Sequence, residues 1–241
     1  MKIIAIDSSG LVATVAIATE DSITAEYTVN YKKTHSQTLL PMLSAISEMT
    51  ELDLDTVDAI AVAAGPGSFT GLRIGSATAK GLGLAMKKPL IEVPTVDALA
   101  ANLWGITDVI CPIMDARRSQ VYTGLYEFDE NNELTVLCEQ YAEDISVVVD
   151  KINGIGRPVV FLGDGVPVYK DTIEKIIKVP VKFAPPHMNR QRAGAVAAYG
   201  KVLYEQGKYE TAAEHAPEYL RLSQAERVRM EGIDTSCISV R

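Results

Sequence analysis

The sequence has few of the residues from which common catalytic and metal sites are built. It contains only three histidines, His35, His187 and His215, and no two of them have the spacing that places two ligands on one helix face. The nucleophile motif Gly-x-Ser-x-Gly is absent. We therefore predict no catalytic residue and no metal site in this chain.

Cysteine and long apolar runs are also scarce. The three cysteines, Cys111, Cys138 and Cys237, are widely spaced and form no Cys-x-x-Cys pair, which argues against a disulfide framework. No run approaches the ~18 apolar residues of a membrane span. Asp7 interrupts the first apolar run, so the N-terminus does not resemble a signal peptide. These features predict a cytoplasmic protein that does not contact membranes.

Positive charge is in deficit. The formal net charge is -8, and an acidic chain repels the phosphates of RNA and DNA. We expect the chain by itself to be a poor nucleic-acid binder, although basic parts of an assembly could lie on other chains.

The order of apolar segments indicates an α/β fold with two similar halves. "KIIAIDSS", "LVATVAIAT" and "ITAEYTV" form a predicted three-strand meander, followed by helix, strand and helix. The pattern restarts at "DVICPIMDARR". We predict duplicated β-β-β-α-β-α subdomains at 1–108 and 109–241, the second with a C-terminal helix and a tail that starts ordered and ends frayed. This plan is similar to that of the actin-like (ASKHA, ribonuclease H-like) superfamily, which contains ATPases and sugar kinases.

Two strand ends could mark a vestigial nucleotide site. In the actin-like superfamily the first turn carries Asp-x-Gly, whereas here the turns read Asp7-Ser8-Ser9 and Asp115-Ala116-Arg117, without the glycine that lets phosphate approach. The serines could offer hydroxyls, or Asp7 could simply cap its turn. Gly163 and Gly165 follow a later strand and could border an adenine pocket.

The stretch "AGPGSFTGLRIGSATAKGLG" is unusually rich in glycine but matches neither a Rossmann fingerprint nor a P-loop. Gly71, Gly75, Ala79 and Gly83 recur every four residues of a predicted helix over 70–86. Since each helical glycine costs ~1 kcal/mol relative to alanine, close packing on this face must compensate. The packing surface could be the chain's own sheet or a second protein chain.

Four separated motifs, "IAIDSS", "HSQTLLPML", "GPGSFTGLRIG" and "PEYLRLSQAE", together resemble the TsaB family, also called YeaZ. The resemblance implies a scaffold subunit of the complex that transfers threonylcarbamoyl to N6 of the adenosine next to the anticodon, in tRNAs that read codons starting with A. It implies a heterodimer with a TsaD-type paralogue, a TsaE-type ATPase as further partner, tRNA contacts through the complex, and a homodimer when TsaD is absent. ATP or ADP is expected only at the seam with the partner.

The same resemblance places the dimer face on the first helix and the glycine-rich helix. The residues expected there are His35, Leu39, Leu40, Leu43, Gly71, Arg73, Gly75 and Ala79. A TsaD-like metal site would need a second histidine four residues after His35, where the sequence has Leu39. Two alternatives remain at this point: an ATP-dependent small-molecule kinase and an inactive metallopeptidase homologue.

Overall fold

The computed structural model describes residues 1–31 and 34–216. The elements of its first half are β1 (Ile3–Asp7), β2 (Ala13–Ala18), β3 (Ile23–Val29), α1 (His35–Met49), a 3-10 turn (Leu54–Thr56), β4 (Ala59–Gly65), α2 (Phe69–Met86), β5 (Leu90–Pro94) and α3 (Thr95–Ala101). The five strands form one sheet in the order β3-β2-β1-β4-β5. Strands β3, β2 and β1 pair antiparallel, and β1, β4 and β5 pair parallel.

The second sheet repeats this arrangement. The elements of the second half are β6 (Val109–Asp115), β7 (Gln120–Phe128), β8 (Leu134–Asp144), α4 (Ile145–Ile155), β9 (Val159–Leu162), α5 (Val166–Ile176), β10 (Val181–Phe183) and α6 (Ala193–Glu205). The strand order is β8-β7-β6-β9-β10, which matches the order of the first sheet strand for strand. The predicted duplication is therefore confirmed, and β10 is a strand that the sequence pattern did not predict.

The central strands β1 and β4 are buried along their whole length, because helices cover both faces of the first sheet. One face packs against α1 and α2. The other packs against α6, whose Ala193, Val196 and Ala197 contact β1, β4 and β5 residues. The prediction that assigned the C-terminal helix to a unit at 109–241 is thus wrong for α6, since its small, buried residues fit the first sheet.

The strands of the first sheet all precede residue 108 and those of the second all follow it, while the exact unit boundary stays a prediction. Helix α3 packs between the sheets, with Val96 and Leu99 in one cluster with Ile110 and Tyr126. The predicted tail, with the motif "PEYLRLSQAE" and Cys237, lies outside the described residues. Within the described ranges, no helix is long and apolar enough to cross a membrane.

Candidate partner interface and strand-end turns

Helix α1 presents one face to the core and the other to solvent. Leu39 and Leu43 are 1% and 5% exposed within the core under the first sheet. Leu40, next to Leu39 in the helix, is 54% exposed. His35 is half-buried, with its Nε2 2.9 Å from the main-chain oxygen of Gly10. Leu40 can contact a partner, whereas Leu39 and Leu43 pack mainly in the core beneath it, and their place on or near the interface stays a prediction.

The small-residue stripe of α2 faces the chain's own sheet. Gly71, Gly75 and Ala79 are all buried. A Cβ on Gly71 would lie 2.0 Å from the main-chain oxygen of Ser8, and one on Gly75 would lie 2.6 Å from Ser8 Oγ. The predicted partner role of these three residues is therefore wrong. The alternative of internal packing is correct, because α2 lies directly on the turn that follows β1.

The outward face of α2 carries different residues. Arg73 is exposed, with its guanidinium carbon 4.0 Å from the centre of the Phe69 ring. Ala77 and Gly81 continue the exposed face, and Leu84 is 58% exposed. Arg73 thus stays a candidate interface residue, and Ala77, Gly81 and Leu84 are exposed positions on the same face that were not named from the sequence. The signal for them was present, since they follow Arg73 at helical spacing.

An apolar groove runs between α1 and α2 next to Leu40. Its volume is about 560 Å³. Leu43, Leu52, Leu54 and Leu82 contribute apolar surface, and Leu54 itself is 49% exposed. Apolar surface of this kind, next to an exposed leucine, is typical of protein docking sites.

Asp7 caps the turn that ends β1. Its Oδ1 accepts hydrogen bonds from the Ser9 main-chain N–H at 2.8 Å and the Ser9 hydroxyl at 2.6 Å. Burial raises the pKa of the Asp7 carboxyl to about 6, although the bonds from Ser9 oppose this shift. Ser68 donates its N–H to the Ser9 oxygen at 2.6 Å, and a Cβ on Gly67 would lie 2.4 Å from that oxygen. The start of α2 therefore covers Ser8 and Ser9, and the vestigial nucleotide site at this turn stays a prediction.

Asp115 has a similar capping role at the end of β6. Its Oδ1 accepts the Arg117 N–H at 2.9 Å and the Tyr169 hydroxyl at 3.1 Å. The Asp115 N–H in turn donates to Asp164 Oδ1 at 3.2 Å. Burial raises the pKa of the Asp164 carboxyl. The carboxylates of Asp115 and Asp164 therefore accept main-chain hydrogen bonds at the strand ends, as the carboxylate of Asp7 does.

Gly163 and Gly165 pack on β6. A Cβ on Gly163, whose φ is +109°, would lie 2.1 Å from the Ile113 oxygen. The Gly165 N–H donates to that same oxygen at 3.0 Å. Close packing on β6 therefore explains why glycine occupies both positions. The role of Gly163 and Gly165 in an adenine pocket stays a prediction.

The chain is similar to proteins named for threonylcarbamoyl modification of tRNA. The family model described as "TsaD: tRNA N6-adenosine threonylcarbamoyltransferase" matches residues 22–228. The Bacillus subtilis tRNA threonylcarbamoyladenosine biosynthesis protein TsaB is 34% identical over 232 residues, which cover 94% of this chain and 96% of that protein. The chain belongs to the TsaB family.

Solved structures support the same assignment. YeaZ from Pseudomonas aeruginosa superposes with a TM-score of 0.76 at 25% identity, covering 91% of this chain and 99% of that one. An inorganic polyphosphate/ATP-glucomannokinase from Arthrobacter superposes with a TM-score of 0.50 at 10% identity, covering 83% of this chain and 98% of that one, which shows a shared fold only. The TsaB chain thus has the predicted two-subdomain, actin-like α/β fold.

Two polar clusters in this TsaB-family chain were not predicted from its sequence. Asp97 on α3 accepts hydrogen bonds from the hydroxyls of Tyr126 at 2.7 Å and Tyr199 at 3.2 Å, and so joins β7 to α6. In the second cluster, the carboxylates of Glu92, on β5, and of Glu210 both contact the imidazole of His215. Each cluster depends on a contact between distant parts of the chain, since Asp97 lies 102 residues from Tyr199 and Glu92 lies more than 100 residues before Glu210 and His215.

Proposed function

We propose that this chain is a non-catalytic scaffold subunit that pairs with a TsaD-type transferase through the outward faces of α1 and α2. The observation that carries the proposal is Leu40, which is 54% exposed next to an apolar groove. Leu84 adds separate apolar surface on α2, since it is 58% exposed on the side of the helix near Tyr204 and Tyr209. Exposed apolar side chains on neighbouring helices are suited to bury against a partner helix.

The reaction we assign to the complete complex is the transfer of threonylcarbamoyl to N6 of the adenosine next to the anticodon, in the cytoplasm. The name of the Bacillus subtilis relative, a tRNA threonylcarbamoyladenosine biosynthesis protein, supports the pathway. A TsaE-type ATPase joins the complex, and tRNA binds mainly to the partners because this chain carries a net charge of -8.

The structure of α1 supports the absence of transferase chemistry in this chain. A TsaD-like ligand pair needs a second histidine where Leu39 stands, and Leu39 is only 1% exposed and packed in the core. His35, the remaining member, has its Nε2 against the Gly10 oxygen. The kinase alternative is not favoured either, because the start of α2 covers the turn at Ser8 and Ser9. We place any ATP or ADP at the seam with the partner.

The proposal is tested with Leu40→Glu, measured by size-exclusion chromatography with light scattering. The chain alone is expected to form a homodimer, and with a purified TsaD-type protein a heterodimer. Leu40→Glu should abolish both while leaving the monomer folded, with an unchanged far-ultraviolet circular dichroism spectrum, because a surface leucine stabilises the monomer little. Val168→Glu is the matched control, since Val168 is 57% exposed on α5 and lies in the other half of the chain.

Full association of Leu40→Glu would show that another surface binds the partner. The non-catalytic assignment has its own assay, in which the purified chain receives threonylcarbamoyl-adenylate and tRNA without TsaD. We expect no modified adenosine, and turnover by the chain alone would refute that part of the proposal.

A further inference from the structure

Three ligating side chains meet where the segment after α6 runs beside β5. The His215 side chain is fully buried, with Nδ1 2.7 Å from Glu210 Oε1 and 2.9 Å from Glu92 Oε1. One nitrogen and two carboxylate oxygens thus lie within 4.8 Å of one another. Neither α1 nor the outward face of α2 contributes to this cluster.

The backbone holds these side chains in place. Leu90 and Glu210 exchange two main-chain hydrogen bonds of 2.9 Å, which fix the segment to the edge of β5. Lys80 on α2 donates to the main-chain oxygens of Ala213 at 2.8 Å and His215 at 3.1 Å. The ammonium of Lys80 thus binds carbonyls, and the two carboxylates have the imidazole as their shared partner.

The chemistry of the cluster favours a divalent cation. An imidazole nitrogen carries at most one proton, which cannot be shared equally well by two carboxylates. Two carboxylates and a neutral imidazole have a combined charge of -2, which a dication neutralises. Zinc binds imidazole nitrogen and carboxylate oxygen at about 2.0–2.2 Å, so its ligand atoms lie about 3.3 Å apart in a tetrahedron. The nitrogen–oxygen separations at His215 need to widen by only about 0.5 Å.

We propose that Glu92, Glu210 and His215 form a site for a divalent transition-metal ion, best suited to Zn²⁺, that fastens the segment after α6 to β5. Mixed imidazole and carboxylate ligands suit Zn²⁺ better than Mg²⁺ or Ca²⁺, which prefer oxygen alone. Three protein ligands leave one position for water. The Glu92 side chain is 40% exposed, so ion and water can reach the site from solvent.

The test is isothermal titration of the chelator-treated full chain with Zn²⁺, together with a thermal melt. The wild type should bind one ion and melt at a higher temperature when zinc is present. His215→Ala should abolish this binding, and Glu92→Gln and Glu210→Gln should each weaken it about tenfold or more. His187→Ala, at an exposed histidine outside the cluster, is the matched control and should bind like the wild type.

Equal zinc uptake by the wild type and His215→Ala, or no uptake by the wild type, would overturn the site. Glu92→Gln keeps the test decisive if His215→Ala does not fold, since Glu92 is the most exposed of the three side chains. The visible spectrum of bound Co²⁺ provides an independent readout: intense bands indicate a four-coordinate site in the wild type, and Glu92→Gln should change them. An unchanged spectrum in Glu92→Gln would contradict the assignment.

Discussion

The hydroxyl of Ser8 donates a 2.9 Å hydrogen bond to the main-chain oxygen of Gly71. The Ser8 side chain therefore joins the turn after β1 to the first turn of α2. This contact explains why glycine recurs on the inner face of α2, where a side chain would enter the turn. The face of α2 that is open to a partner is therefore the outer one.

Gly71→Ala should destabilise the fold. Its Cβ would lie 2.0 Å from the Ser8 oxygen, which belongs to a rigid main chain, so helix and turn must separate. We expect a loss of about 3 kcal/mol in the free energy of unfolding, measured with denaturant, because overpacking costs this much in tight sites.

Gly81→Ala is the matched control for that experiment. A Cβ on Gly81 meets nothing within 4 Å, and the residue is exposed on the same helix. This variant should gain about 0.5–1 kcal/mol, because alanine is the better helix former. Equal effects of the two substitutions would contradict the packing role of Gly71.

Asp7→Asn should stabilise the protein at neutral pH and flatten its pH dependence. The pKa of Asp7 is raised from 3.8 to about 6, mainly by burial, so the folded state binds a proton that the unfolded state has released. The contribution of Asp7 to the free energy of unfolding is therefore fully present below pH 4, and it is lost as the pH rises towards 6 and above. The shift corresponds to about 3 kcal/mol at pH 7, an upper bound for the gain from asparagine.

The measurement for Asp7 is denaturant unfolding between pH 4 and 8. The asparagine oxygen can still accept both hydrogen bonds from Ser9, so the turn should persist. His35 and Asp164 also influence this carboxyl, lowering and raising its pKa respectively. A wild-type profile no steeper than that of Asp7→Asn between pH 4 and 6 would show that Asp7 does not titrate as described.

The fold could be predicted largely from sequence because its signals are local. Two meanders of apolar strands and the helices after them repeat in the same order, and that repetition gave the duplicated architecture. The position of α6 could not be found this way, since its small residues Ala193 and Ala197 suit any close-packed sheet. Only the three-dimensional structure shows that these alanines pack on the first sheet.

The candidate interface was partly predictable. The sequence identified the two helices, and Leu40 and Arg73 do face solvent. It could not decide which side of α2 faces the core, because small residues occur on both: Gly75 on one and Ala77 with Gly81 on the other. The deciding contact is with Ser8, which lies 67 residues before Gly75 in the chain.

Asp97→Ala should destabilise the protein by about 3 kcal/mol, because the buried hydroxyl of Tyr126 and the half-buried hydroxyl of Tyr199 both lose their acceptor. Asp171→Ala, on the exposed part of α5, is a control that should cost less than about 0.5 kcal/mol. A double-mutant cycle with Tyr126→Phe isolates the hydrogen bond, and a coupling energy near zero would contradict its role in joining β7 to α3.

Arg73→Glu and Leu84→Glu should weaken partner binding to different degrees. Leu84 is 58% exposed and apolar, so a charge there would be desolvated in the complex and should abolish binding of a TsaD-type protein. Arg73 stacks on Phe69 at the surface, and a change in an exposed charge costs about 0.2–1 kcal/mol, or less than about sixfold in the dissociation constant. Biolayer interferometry measures both, with Lys208→Glu as an exposed charge-reversal control. Wild-type affinity in Leu84→Glu would place the partner elsewhere, whatever Arg73→Glu does.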